Sequence, residues 1–236
     1  MSETRRISWF SCGVASGVAS KLMLDEHPDT LIVRIVLDSE LEDNSRFARD
    51  CADWFGKEII EIRSSRYKDT WEVWEKRRYL NGPSGALCTT ELKKMVRGEF
   101  QQIDDIQAFG YTSEELARAN RFCVNNFEIF SRFPLIENNL SKKDCFKIIM
   151  SVGIELPLSY RMGYNNGNCI PCVKGGKGYW NKIRIDFPDR FNRMSELEQA
   201  IGRSCINGTF LKDLDPEAGR KTDLILPDCG MTCGDK

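Results

Sequence analysis

The sequence predicts an α/β fold: a doubly wound, mostly parallel five-stranded sheet with a small cysteine-bearing, helical C-terminal extension. Three observations carry this expectation. Short β-type runs alternate with helical patterns through residues 1–153, as βαβ crossovers require. One of those runs, Leu31 to Leu37, is almost continuous in apolar and β-branched residues, as a strand buried on both faces should be. From about Ile154 the alternation stops, and Gly, Asn, Cys and Pro dominate as far as Gly178. The chain therefore divides into 1–153 and 154–236.

Taken in order, Arg6 to Ser11 reads as the first strand, with a helix from about Gly17 to Leu24. Leu31 to Leu37 is the second strand. Asn44 is placed to cap a helix reaching Phe55, with Gly56 closing it. Glu58 to Ile62 is the third strand, followed by helical patterns over Asp69 to Tyr79 and Thr89 to Phe100. Ile106 to Gly110 and Phe133 to Ile136 read as the fourth and fifth strands, separated by a helix over Ser113 to Cys123. Ser141 starts a helix to Ser151 that Gly153 ends, and helices follow at Tyr179 to Arg184 and Asp189 to Ile201. Trp71, Trp74 and Trp180 fall at helical spacing and are expected in the core. The layout is Rossmann-like, and in such sheets ligands bind beyond the carboxyl ends of the strands.

Composition narrows the function. Hydrophobic content of 41% and charged content of 29% are those of an ordinary globular chain. A net charge of −1 argues against a surface that clings to nucleic acid throughout. No run approaches the roughly 18 apolar residues of a membrane span. The N-terminus runs straight into a strand-like segment without a signal-peptide pattern, so a cytoplasmic location is expected. With a single histidine, His27, beside a proline, histidine-based catalysis has almost nothing to draw on.

Ten cysteines in such a compartment point to metal binding or thiol chemistry rather than disulfides. Cys51, Cys123, Cys145 and Cys205 sit in helix-like patterns and are expected to be core residues. Cys169-Ile170-Pro171-Cys172, with Asn165, Asn166 and Gly167 before it and Gly175 and Gly176 after it, has the spacing of a knuckle that puts two sulfurs on one metal. Cys88, Cys229 and Cys233 are the candidates to join it. A zinc site of Cys169, Cys172, Cys229 and Cys233 is one way to close the set. An iron–sulfur cluster that includes Cys88 is the other.

Ser11-Cys12-Gly13-Val14-Ala15-Ser16 joins the first strand to the first helix. A turn of small residues there exposes backbone N–H groups at a helix N-terminus, where an anion gains hydrogen bonds and a favourable dipole. This turn resembles the PP-loop of adenine-nucleotide α-hydrolases, usually Ser-Gly-Gly-x-Asp-Ser. Phe133 to Ile136, Ser141 to Asp144, Ile154 to Pro157, Tyr160, Gly163-Tyr164 and the Cys169/Cys172 pair follow the order of phosphoadenosine phosphosulfate (PAPS) reductases and their relatives. Cys88 with Lys93 and Lys94 resembles that family's cysteine and basic segment, and Asp228-Cys229-Gly230 is similar to its tail. The chain departs from the pattern at Ala15, where the PP-loop has Asp, at Cys12, where it has Gly, and at Thr112, where an arginine is usual.

The resemblance implies an adenylyl nucleotide at the sheet's carboxyl edge, with its phosphates at Ser11, Gly13 and Ser16, its adenosine near Asp38 and Ser39, and Gly110 among the residues that bind it. Lys93 and Lys94 would neutralise anionic charge, and Arg118 or Arg121 would replace the missing arginine. Cys88, Cys169 and Cys172 would ligate a [4Fe–4S] cluster. Cys229 would be the catalytic thiol, and either it or Cys233 the fourth ligand. The implied enzyme is a PAPS/APS reductase, in which a thiolate attacks a sulfonucleotide and thioredoxin or glutaredoxin reduces the product. An ATP-dependent iron–sulfur sulfurtransferase that modifies a nucleobase is the alternative, and only it brings nucleic acid in as a partner. A non-catalytic, zinc-stapled module binding nucleotide or nucleic acid is the third reading. No membrane partner is expected.

Overall fold

The computed structural model describes residues 4–82, 85–167 and 169–219. Strand β1 (Arg6–Trp9) leads into α1 (Val14–Glu26), β2 (Leu31–Ile35), α2 (Asp43–Phe55) and β3 (Ile59–Ile62). After α3 (Thr70–Arg77) come a two-stranded hairpin, β4 (Asn81–Gly82) and β5 (Gly85–Ala86), and a helical run. That run comprises α4 (Leu87–Thr89), a π-helical segment (Thr90–Lys94) and α5 (Met95–Phe100). Next are β6 (Ile106–Ala108), α6 (Leu116–Asn125), β7 (Phe130–Arg132), α7 (Pro134–Glu137) and α8 (Lys142–Ser151). Then come α9 (Leu158–Arg161), α10 (Lys177–Asp186), α11 (Pro188–Ile201) and a 3-10 turn (Leu211–Asp213).

The main sheet has five strands, all parallel, in the order β3-β2-β1-β6-β7. Ile7 registers with Leu31 on one side and with Gln107 on the other. The winding reverses between β1 and β6, so the crevice beyond the carboxyl ends of those two strands is where an α/β sheet admits a ligand. Helices cover both faces. Phe10, Val18, Phe47, Cys51, Cys145 and Ile149 fill one layer, and Trp9, Val33, Leu92, Val96, Phe109 and Phe122 the other. A third apolar cluster joins Trp71, Trp74 and Leu80 to Tyr179, Trp180 and Met194, so the C-terminal helices pack on α3 and the hairpin. Among the described residues, no helix is long and apolar enough to cross a membrane.

Local chemistry sets the element ends. Asp69 caps α3 by accepting the Glu72 N–H at 2.8 Å. Ser141 and Asp144 form a reciprocal capping box at the start of α8. Gly56 closes α2 with φ +64°, a conformation a side chain would oppose.

Three expectations need correction. The fifth strand is Phe130–Arg132, and Pro134–Glu137 is a helical turn. Pro134 has no N–H for a sheet ladder but fits the first position of a helix. Asn44 lies inside α2 with Glu42 at the N-cap, and its amide donates to Glu40 Oε2 at 3.2 Å. Cys123 is exposed on α6 and is not a core residue.

Candidate functional site

The turn after β1 is held by its own hydroxyls. Ser16 Oγ donates to the Gly13 carbonyl at 2.9 Å and accepts from the Ser11 N–H at 3.0 Å and the Ser11 hydroxyl at 3.1 Å. Both hydroxyls thus shape the loop. Cys12 is fully buried with φ +57°, and its thiol donates to the Asn44 carbonyl at 3.5 Å. Burial pushes that thiol's pKa well up, so it stays protonated. Cys12 therefore anchors the loop to α2 and is no nucleophile.

Two glycines let other chain segments approach this turn. A Cβ on Gly110 would lie 2.7 Å from Ser16 Cα, so the loop after β6 rests directly on the start of α1. A Cβ on Gly167 would lie 3.1 Å from the Cys12 carbonyl oxygen. The segment that carries the cysteine pair therefore crosses the turn two residues before Cys169. Lys142 Nζ fastens that crossing with hydrogen bonds to the Asn165 carbonyl at 2.6 Å and Asn166 Oδ1 at 2.5 Å.

The Cys169–Cys172 knuckle contains a cis Ile170–Pro171 bond and is gripped from four sides. Ile170 N–H donates to the Ser39 carbonyl at 3.1 Å, beyond the end of β2. Arg190 of α11 donates to the Ile170 carbonyl. Cys172 N–H donates to the buried Tyr179 hydroxyl at 2.8 Å. Asn81 of the hairpin donates to the Val173 carbonyl at 2.5 Å and to the Cys205 carbonyl at 3.3 Å.

Cys88, Cys169 and Cys172 line one small cavity of about 20 Å³, together with Lys93, Thr70 and Trp74. Leu37 forms its wall at the sheet's carboxyl edge. Lys93 is buried there, on the π-helical segment, an irregularity common at functional positions. Cys205, expected to be core only, is buried close enough to Cys88 for the two thiols to interact electrostatically, and burial beside Glu198 raises its pKa well above normal. Among the described residues no three His, Cys, Asp or Glu side chains already stand in the arrangement of a metal site. The donor chemistry nevertheless suits a thiophilic metal. Three cysteines line the same cavity, and two buried hydrogen-bond donors that line it too, Thr70 Oγ1 and Trp74 Nε1, lack any partner.

The other candidate residues lie as follows. Asp38 is half exposed and ion-paired with Arg63 at 2.7 Å. Ser39 is buried, with its carbonyl on the knuckle and its hydroxyl unpartnered. Arg118, in the first turn of α6, stacks over Tyr111 at 4.7 Å and donates to Glu115 at 2.6 Å. Lys94 follows Lys93 on the π-helical segment. Cys229 and Cys233 lie outside the described residues. Asn81, Tyr179 and Arg190 hold the knuckle and carry no signal in the sequence, because an Asn, a Tyr and an Arg in helical or turn contexts are ordinary.

No protein-family model and no curated protein matches this sequence. Among solved structures the chain is similar to the U34-tRNA thiolase NcsA from Methanococcus maripaludis, described with its [4Fe–4S] cluster. The identity is 11%, the match covers 86% of this chain and 73% of that one, and the TM-score is 0.46.

Proposed function

We propose that this chain is a nucleotide-dependent sulfurtransferase that holds a [4Fe–4S] cluster on Cys88, Cys169 and Cys172 and modifies a nucleobase or a similar acceptor. The observation that supports it is the crossing at Gly167, which sets a thiol-lined cavity beside a helix N-terminal turn suited to phosphates. In this reading the backbone N–H groups at the start of α1 bind the phosphates of ATP. The acceptor oxygen attacks the α-phosphorus, pyrophosphate leaves, and sulfide then displaces AMP. A cluster with three protein thiolates, when bound, supplies an open iron for that sulfide. Lys93, buried in the cavity wall, balances the negative charge of the thiolates or of the incoming anion.

The sulfonucleotide-reductase reading needs Cys229 as nucleophile, outside the described residues. The transferase reading needs only the three thiols of the cavity. Turnover separates them. Anaerobically purified protein should carry iron and sulfide, and should release pyrophosphate from ATP when given a nucleic-acid acceptor. Sulfite release from PAPS or APS would replace this reading with the reductase. A colourless protein with stoichiometric zinc and no turnover would replace it with the zinc-stapled binding module.

A further inference from the structure

Thr70 and Trp74 occupy positions i and i+4 of α3, which places them on one face of that helix, and both line the thiol cavity. Trp74 is fully buried and Thr70 is 2% exposed. Neither Trp74 Nε1 nor Thr70 Oγ1 has a hydrogen-bond partner. Buried donors without acceptors are uncommon, because each loses its hydration and regains nothing. An indole N–H can only donate. The cavity wall shows what could receive it: Lys93 is itself a donor, the side chains of Leu37, Pro171 and Val173 are apolar, and the side-chain acceptors are the Thr89 hydroxyl and the sulfurs of Cys88, Cys169 and Cys172, of which only the sulfurs can become anionic at neutral pH. A neutral thiol accepts weakly, whereas a thiolate or sulfide accepts well.

We propose that Thr70 Oγ1–H and Trp74 Nε1–H donate hydrogen bonds to anionic sulfur in this cavity, and so stabilise and tune a thiolate-held metal centre without ligating it. The inference rests on the reading of the cavity as such a centre. Both residues act as positioning residues. Hydrogen bonds to ligand sulfur spread its negative charge, which favours metal retention and raises the potential of an iron–sulfur centre.

The test uses Thr70→Val, which keeps the shape and drops the hydroxyl, and Trp74→Phe, which keeps an aromatic ring and drops the N–H. Melting temperature is measured on the whole chain, metal-free and then loaded, once with iron and sulfide under anoxia and once with Zn²⁺. Metal-free Thr70→Val should melt higher than the wild type, because an orphan donor has gone. Loading should stabilise each variant less than the wild type, and Zn²⁺ should bind each about 10–100-fold more weakly. The ring volume lost in Trp74→Phe affects both states alike, so its readout is the stabilisation gained on loading. With iron bound, each variant's midpoint potential should move to more negative values. Wild-type protein that takes up metal while both variants gain as much on loading, with unshifted potentials, overturns this inference alone. Wild-type protein that takes up neither metal overturns the thiolate-centre reading and this one with it. If inorganic phosphate, and not metal, produces the variant-dependent stabilisation, the acceptor is an oxyanion and the assignment to sulfur is wrong.

Discussion

Gly175 leaves room for Tyr179: a Cβ on the glycine would lie 1.8 Å from the tyrosine ring, whose hydroxyl accepts the Cys172 N–H. The second cysteine of the knuckle is thus set by a missing methyl three residues downstream. Gly175→Ala should push the ring off its seat, at a cost of about 1–3 kcal/mol for overpacking. Urea unfolding measures the loss, and metal content after reconstitution should fall with it. An unchanged midpoint and unchanged metal would show that the ring has slack.

Tyr179→Phe removes only the acceptor. A buried backbone N–H is then unpaired, which costs about 1–3 kcal/mol. The loss should appear in equilibrium unfolding while the far-ultraviolet circular dichroism of the native state stays as it was. Wild-type stability in this variant would mean that the Cys172 N–H has another partner within reach.

Gly110→Ala tests the crevice. The added Cβ meets backbone atoms of Ser16 at 2.7 and 2.8 Å, and backbone at a helix start has little freedom to withdraw. We expect ATP binding, followed by calorimetry, to weaken at least tenfold, equivalent to about 1.4 kcal/mol or more. Full affinity in the variant would move the nucleotide away from this turn.

Asp43 gives a pH dependence with a definite sign. Its carboxylate takes hydrogen bonds from Arg46 at 2.8 and 3.0 Å and from the Leu158 N–H at 2.6 Å, tying α2 to the segment before the knuckle. The hydrogen bond from Arg46, against some desolvation, lowers its pKa below the usual 3.8. A carboxylate with a lowered folded-state pKa contributes stability above its unfolded value, and that contribution is lost as pH falls through the folded value. Unfolding free energy should therefore drop below pH 3.8 more steeply in the wild type than in Asp43→Asn. Parallel pH profiles would dismiss the pairing as a source of stability.

Glu198 holds the loop that carries Cys205. The fully buried carboxylate accepts the N–H groups of Cys205 and of Leu211, the latter at 2.7 Å. Glu198→Ala leaves both donors buried and unpaired, at about 1–3 kcal/mol each. Thiol labelling of Cys205, suppressed in the wild type by burial, should become fast in the variant. Protection that persists would place the loop's anchor elsewhere.

The parts of the fold legible in the sequence are those with a strong period or a forced conformation. Leu31 to Ile35 announces a buried parallel strand by being apolar at nearly every position, and Gly56 and Gly153 mark helix ends where φ turns positive. The fifth strand is misread because Phe133 to Ile136 is a short apolar run, and such runs suit a strand or a helical turn equally well. Pro134 is the deciding residue. In the site, cysteines stand out because few residue types carry thiol chemistry, so Cys88, Cys169 and Cys172 draw notice from type and spacing alone. Their supports do not. Asn81 acts across a sequence separation of 92, which leaves no local trace, and Tyr179 and Arg190 sit in helical patterns where a tyrosine and an arginine are ordinary. Cys205 reads as core because burial is what the pattern around it shows, and its closeness to Cys88 exists only once the hairpin and α11 are packed.

Two of the four grips on the knuckle come from residues made after it: Tyr179 and Arg190 leave the ribosome later than Cys172, whereas Ser39 and Asn81 precede it. During synthesis the thiols are therefore born before half of the scaffold that aims them. A nascent chain stalled near residue 175 would already own its reactive sulfurs yet could not present them together. Maturation must wait for translation to pass α11.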